Sequence, residues 1–496
     1  MESSLQNFSN DDFIRKLEIS RLLSQSSTPM SKLIILVIFF CVSVSGTTQT
    51  TVIVIKDVAV IDVKTGKVNK GQTVIIKGNK ILSINNKAVV PKNATTVEAN
   101  GKYLIPGLWD MHAHAFTDRK FEWLFPLLIA NGITGVRDMA TSISFDSIRI
   151  IKKQIADGKL LGPRFGAVTQ EVFNGIDLPG TPTMAVTTPD QARKQVRNYK
   201  QQGVDFIKVY NQLSPEVLFA IIKEAKLQKI PVAGHVPYAM TAAQVSDLGL
   251  ISLEHNLDIL VSCSSDEMGL RQQLDALPKN LAPGAGPRQS VDVIAMQTFD
   301  EQKAIALFKR FIHNDTWLCP TLVVPLRTIK TLDELAMDDR LKYIPKQFRD
   351  QWYNGMKQRN INPVTENGKL LLKKRIEIVG LMYRTGVNIL AGSDFMNPYV
   401  YPGFSLHDEL ELFVQAGLSP LQALQTTTIN PAKFFNREKE FGTIEKDKYA
   451  DLVLLDENPL ENISNVRKIY AVIANGRLLQ RADLDNLLNK MQTLNK

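Results

Sequence analysis

The chain has 496 residues, 44% hydrophobic and 22% charged, with a formal net charge of +9. This is ordinary globular composition, long enough for a large domain beside a smaller one. Lysine and arginine are spread along the sequence, with no basic stripe interleaved with aromatics, which argues against a nucleic-acid partner.

In chain order, residues 1–29 are polar, and Met30-Ser31-Lys32 then precedes the apolar run LIILVIFFCVSV at 33–44 and the small residues SGTTQTT. A short basic start, an apolar core and small residues after it predict a secretory signal peptide. Cleavage is expected near Ser45 or Gly46, with translation starting at Met30. Residues 1–46 are then leader and signal, and the mature chain is exported to a bacterial periplasm or secreted. The apolar run is shorter than the roughly 20 residues a spanning helix requires, so no membrane span is expected in the mature chain. Cys41 follows Phe39-Phe40 rather than a small residue, unlike a lipoprotein cleavage site. Cys263 and Cys319 give no disulfide framework, although one bridge between them stays open.

Residues 47–105 read as short strands. TVIIKGNKILSIN at 73–85 holds two β-rich runs around Gly78-Asn79, a hairpin pattern. The far end repeats it: ADLVLLD at 450–456 is a strand, and AVIANGRLL at 471–479 turns at Asn475-Gly476. The expectation is one small β-domain assembled from 47–105 and 436–482, with 483–496 as a tail.

Residues 106–435 alternate strand-like and helix-like runs. Apolar, β-branched stretches end near His114, Asp138, Thr169, Lys208, His235, His255, Val323 and Asp394. The gaps suit helices such as SPEVLFAIIKEAKLQ at 214–228, whose Ser-Pro opening fits N-cap and N1. Strands alternating with helices predict an α/β chain built on a (β/α)8 TIM-type barrel. The stretches 257–315 and 325–380 exceed ordinary connections, so extra helices are expected at the mouth as a lid or substrate-recognition region.

The first of these strands carries LIPGLWDMHAHAF at 104–116. Residues i and i+2 of a strand share a face, so Asp110, His112 and His114 point together while Trp109 and Met111 go to the core. In VDFIKVY at 204–210, Phe206, Lys208 and Tyr210 share one face. A lysine inside such a run is largely desolvated and should lose its charge or be modified. KIPVAGHVP ends near His235, LISLEHN near His255 and GVNILAGSDF near Asp394. A lone histidine at a strand end is ordinary core. Four of the six histidines, a lysine and an aspartate at corresponding strand ends are a coincidence that points to metal chemistry. Imidazole and carboxylate suit zinc and similar divalent ions. Six candidates exceed the needs of one catalytic metal and suit two ions about 3.5–4 Å apart.

The motifs PGLWDMHAH, DFIKVY, VAGHV, SLEHN and AGSD, followed by GLSPLQALQTTTINPA and GTIEKDKYADLVLLDENPL, resemble the amidohydrolase superfamily. The likeness is to the branch of imidazolonepropionases and metal-dependent Xaa-Pro and Xaa-Arg/Lys dipeptidases, and it spans about residues 52–480. It implies a barrel flanked by a small β-sandwich made from both chain ends. It also implies that His112, His114 and Asp394 hold the more buried metal and His235 with His255 the more exposed one. Lys208 matches the lysine that binuclear members carboxylate to a bridging carbamate. The implied chemistry is hydrolysis of a C–N bond by a metal-bridged hydroxide, with two divalent ions (zinc, or manganese) as cofactors. Asp394 would take the proton and pass it to the leaving amine. A small-molecule substrate, a dipeptide or N-acyl amino acid, is favoured, and homo-oligomerisation is open. Cyclic amide, lactone or phosphotriester hydrolysis is the enzymatic alternative, and a silent barrel serving as a binding scaffold is the non-enzymatic one.

Three further residues are candidate substrate contacts. Tyr210 shares a face with Lys208. Arg137 closes the second strand beside Asp138, which also offers it a structural partner. His407 lies in PGFSLHDELELF, where Ser405 and Asp408 form an S-x-x-D capping pattern. His313 reads as a polar helix-end residue.

Overall fold

The computed structural model describes residues 51–86, 89–116, 121–178, 181–278, 286–358 and 365–494. The expected leader, with Met30 and Cys41, lies outside them.

Strands β1 (Val52–Ile61), β2 (Val68–Lys77), β3 (Lys80–Asn85), β4 (Thr95–Glu98) and β5 (Tyr103–Pro106) open the described chain. β6 (Leu108–Ala113), β7 (Ile133–Asp138) and β8 (Arg164–Val168) form a three-stranded parallel sheet. Next come β9 (Val172–Asn174), β10 (Thr183–Ala185), β11 (Ile207–Val209), β12 (Val232–Gly234), β13 (Ser252–Glu254) and β14 (Trp317–Cys319). These make a six-stranded sheet in the order β10-β9-β11-β12-β13-β14, parallel throughout. β15 (Leu452–Leu455), β16 (Ile469–Ala474) and β17 (Arg477–Gln480) close the chain.

Both chain ends share one sheet, because β15 pairs antiparallel with β5 from Leu452↔Pro106 to Leu455↔Tyr103. The two expected hairpins form at their expected turns, with Lys77 opposite Lys80 and Ala474 opposite Arg477. Their tips meet, and Asn79 Nδ2 donates to Asn475 Oδ1 at 3.1 Å. Alternation along β15 sorts its side chains. Leu452 and Leu454 join the sheet's own core with Ile53, Val74 and Ile473, while Val453 and Leu455 join the main core. The segment expected as a tail instead begins inside the helix Arg481–Leu494, which buries Leu484 and Met491.

The two parallel sheets are joined by backbone bonds. Asp205 N donates to Val168 O at 3.1 Å, linking the end of β8 to the entry of β11. The expected eighth strand is not a regular strand. It is one bridge, Leu318↔Ile389, with Met111 N donating to Ala391 O (2.9 Å) and Asp394 N to His112 O (2.7 Å). Asp394 has φ +57°, a left-handed conformation that cannot continue a ladder. The run expected to end near Val323 stops at Cys319, and Val323–Leu326 is a helical turn.

The expected helix forms as Pro215–Gln228, capped by Ser214, whose side chain accepts from Val217 N. The S-x-x-D pattern does not cap. Gly403 is the N-cap of Phe404–Gln415, and buried Ser405 Oγ instead accepts from Tyr401 N at 2.8 Å. The stretches 257–315 and 325–380 do carry extra helices, among them Leu257–Ser262, Glu267–Asp275, Gly286–Gln297 and Lys346–Gln358.

Candidate metal centre

The strand ends bring all six expected ligands together. β6 is buried throughout and its pairing with β7 is irregular between Asp110 and Ala113, while Trp109 and Met111 pack with Trp317, Cys319 and Leu390. His114 Nε2 lies 2.9 Å from Asp394 Oδ1, and His112 Nε2 lies 3.4 Å from the same oxygen. Lys208 Nζ is 3.2 Å from His112 Nε2. His255 Nε2 stands 3.8 Å from Asp394 Oδ2, with its ring centroid 4.7 Å from that of His235.

Two glycines allow this approach. A Cβ on Gly392 would sit 2.7 Å from the His112 backbone N and Cβ, and one on Gly234 would meet Val209 O at 2.2 Å. Three residues of the rim, His255 (φ +64°), Thr321 (φ +46°) and Asp394 (φ +57°), adopt left-handed backbone. Such conformations cost of order 1–3 kcal/mol each and cluster where geometry is imposed for function.

Three imidazoles are held from behind through Nδ1. His112 Nδ1 donates to Glu254 Oε2 (2.8 Å) and His235 Nδ1 to Asn211 Oδ1 (2.8 Å), and His255 Nδ1 pairs with Thr321 Oγ1 (2.6 Å). A proton on Nδ1 leaves the Nε2 lone pair facing inward, the arrangement of metal-ligating histidines. Burial, with Lys208 and neighbouring histidines after it, pushes His112 well below the usual histidine range. Burial does the same to His235, followed by His255 and Lys208. Burial also lowers His255, and it lowers Lys208 against the pull of Asp394 and Glu254. Burial alone would raise Asp394, but His114, His255 and Lys208 together hold its carboxyl below the usual range. Neutral imidazoles, an ionised carboxylate and a lysine shifted toward its amine make a donor set rather than a salt-bridge cluster.

The residues fit a divalent cation on two observations. One donor atom each from His112, His114 and Asp394 lie within 4.8 Å of one another. Buried His235 Nε2 has no hydrogen-bond partner among the described residues. A second convergent group, His112, Glu254 and Cys319, fits poorly. Glu254 is already occupied by Arg137, Ser252 and His112, and burial drives the Cys319 thiol far above its ordinary value. A metal there would need a thiolate.

The expected substrate contacts fare differently. Tyr210 is half-buried, with its ring centroid 4.2 Å from that of His235. Arg137 is not available to a substrate. It is 1% exposed, and Nη2 grips both Glu254 oxygens at 2.8 and 2.9 Å, while Nε and Nη1 donate to Met111 O and Ser252 Oγ. Its partner is Glu254 on β13 rather than the Asp138 considered in sequence; Asp138 instead accepts the amides of Ala115 and Phe116. His407 is also outside the cluster, since its Nε2 donates to the backbone oxygen of Asn131, just before β7, at 2.9 Å. His313 ends the helix Glu301–His313 as expected. Cys263 and Cys319 are both buried and unbonded to each other.

Glu254, Asn211 and Thr321 are the residues that sequence reasoning missed. Glu254 had a readable cue: it is a carboxylate inside the apolar run before His255, and a buried charge needs a partner as much as Lys208 does. Asn211 and Thr321 carried none. Ser393 Oγ donates to Asp110 Oδ2 at 2.5 Å, pinning the segment that carries Asp394.

The amidohydrolase family model matches residues 103–479. The chain superposes on the solved bottromycin amidohydrolase with a TM-score of 0.70 and 22% identity, covering 90% of each chain. It superposes on a Bifidobacterium longum protein assigned as a prolidase with a TM-score of 0.64 and 22% identity, covering 89% of this chain and 99% of that one. These likenesses are of fold. Ninety residues are 38% identical to imidazolonepropionase from Geobacillus sp. (strain WCH70), which is 17% of this chain and 21% of that relative's length.

Proposed function

This chain belongs to the amidohydrolase family, and from that membership we propose that it is a binuclear metal-dependent hydrolase of C–N bonds, with a dipeptide or N-acyl amino acid as substrate. The observation that carries this reading is the convergence of His112, His114, Lys208, His235, His255 and Asp394, three of the imidazoles backed through Nδ1. The two parallel sheets and the backbone bonds that join them support a (β/α)8 barrel over 106–435. The shared terminal sheet supports a flanking β-sandwich drawn from 47–105 and 436–482. We read residues 1–46 as an export leader.

In this reading His112, His114 and Asp394 would hold one cation and His235 with His255 the other, both zinc. Divalent cations held there would supply Lewis acidity, acidifying a water and polarising the scissile carbonyl. The remaining work falls to the chain. Lys208 Nζ, low in proton affinity through burial, would add to carbon dioxide with release of a proton, giving an anionic carbamate. Asp394 reaches both His114 and His255, so its carboxylate can accept the proton of the attacking water and deliver it to the leaving nitrogen. Tyr210, its ring centroid 4.2 Å from that of His235, is the candidate contact for the substrate carbonyl.

The test is metal analysis after zinc reconstitution, followed by a hydrolysis screen of dipeptides, N-acyl amino acids, lactones and phosphotriesters. About two zinc ions per chain and turnover of the first two classes are expected. Absence of bound divalent metal overturns the metal-hydrolase reading. Turnover confined to lactones or phosphotriesters overturns the substrate class.

A further inference from the structure

The helix Gly286–Gln297 lies in the long stretch between β13 and β14 that was expected to cover the mouth. One of its side chains runs inward instead. Arg288 is 2% exposed, and its Nη1 and Nη2 both donate to Asp258 Oδ1 at 3.1 Å. Asp258 Oδ2 accepts from Asn211 Nδ2 at 3.3 Å, and Asn211 Oδ1 faces His235 Nδ1 at 2.8 Å. An unbroken buried chain of polar contacts therefore joins the inserted helix to His235.

A carboxamide has one donor end and one acceptor end. Asn211 Nδ2 points to two acceptors, Asp258 Oδ2 and the Val236 backbone oxygen at 3.4 Å. That leaves Oδ1 for His235, so the ring carries its proton on Nδ1 and keeps its Nε2 lone pair. A flipped amide would present N–H to the ring, move the ring proton to Nε2 and remove it as a metal donor. Arg288 decides where Asp258 points, because a competitor is close: Arg271 Nη1 lies 3.8 Å from Asp258 Oδ1 and has no hydrogen-bond partner among the described residues. Released from Arg288, the carboxylate would turn to Arg271 and abandon Asn211.

We propose that Arg288 is a positioning residue that acts through Asp258 and Asn211 to set the His235 tautomer able to ligate a divalent cation. This rests on the metal-hydrolase reading above. It gives the inserted helix a task beneath the site in addition to any role over the mouth.

The test uses the full chain with ¹⁵N-labelled histidine, of which there are six. His235 is assigned by His235→Gln, its tautomer is read in the metal-free protein, and zinc affinities are measured by chelator competition. Wild type should show His235 protonated on Nδ1. Arg288→Met should shift it toward the Nε2–H form and weaken the looser zinc about 10–100-fold, leaving the tighter one within about threefold. Should Arg288→Met fail to fold, Asp258→Asn takes its place. An amide can offer either end to Asn211, so a mixed tautomer is expected there. An unchanged tautomer in the folded variant overturns the proposal, as does equal weakening of both zinc ions without a tautomer change. If wild type binds no zinc, the metal reading falls while the tautomer measurement still judges the relay.

Discussion

His235, in the strand-end cluster, and His407, on the helix Phe404–Gln415, make an instructive pair. Both are buried, both are pushed below the ordinary histidine range by burial, and each has one ring nitrogen bonded and one without a partner among the described residues. By composition and burial they are the same residue. They differ in what the idle nitrogen meets. Around His235 stand His255, Tyr210 and, through His255, the carboxylate of Asp394. His407 is fixed through Nε2 to a backbone oxygen, with Arg467 and Asp408 as its nearest charges. An unpaired buried lone pair is therefore common to a site and to a packing accident, and convergence of several donors separates them.

The sharpest way to break the comparison is at the cluster's carboxylate. Asp394→Asn should lower kcat/KM about 10³-fold or more with zinc still bound, whereas His407→Gln should leave turnover within about twofold. Steady-state kinetics on zinc-loaded proteins decide it, and equal losses would erase the distinction. Next is Arg137→Met, which strands buried Glu254 behind His112. Denaturant titration should show about 3–5 kcal/mol of lost stability, the usual cost of breaking a buried pair on one side. A loss below about 1 kcal/mol would place Glu254 in contact with water. Gly234→Ala forces a methyl onto Val209 O at a backbone angle (φ +140°) that side chains avoid. About 2–4 kcal/mol should be lost, with zinc binding weakened because His235 moves.

The smallest effect concerns pH. Burial first, then Arg467, lowers His407 from 6.5 to about 3. The unfolded chain takes up that proton below about pH 6.5 and the folded one only near pH 3, so this contribution is complete above 6.5 and drains away as pH falls toward 3. By pH 5 the loss amounts to about 2 kcal/mol. Unfolding free energies at pH 7 and 5 should therefore fall less steeply in His407→Gln than in wild type. Parallel slopes would mean that His407 is protonated in the folded protein.

Much was legible from local pattern. The apolar pattern placed Trp109 and Met111 in the core, and Asn475-Gly476 placed a hairpin turn. The Ser-Pro start of 214–228 located a helix. These succeed because each depends on neighbours within a few residues. The strand at 317–323 was over-extended because Val323 and Val324 look like strand residues but turn helically after Thr321. The Ser405 cap failed for the same kind of reason: its hydroxyl found the Tyr401 amide, leaving the cap to Gly403.

The sequence by itself determined which side chains gather near the strand ends, since the apolar runs and turn residues that set those ends are local. Only the tertiary structure decided which nitrogen of each ring looks inward, and whether a polar residue is a ligand or a prop. His112 depends on Glu254, 142 residues away, and His255 on Thr321, 66 away. Arg137 was turned from a substrate contact into a support by the same Glu254. Hydrogen-bond partners in a buried site are chosen by proximity in the folded chain, where desolvation makes every unpaired group costly, and no spacing along the sequence records that choice.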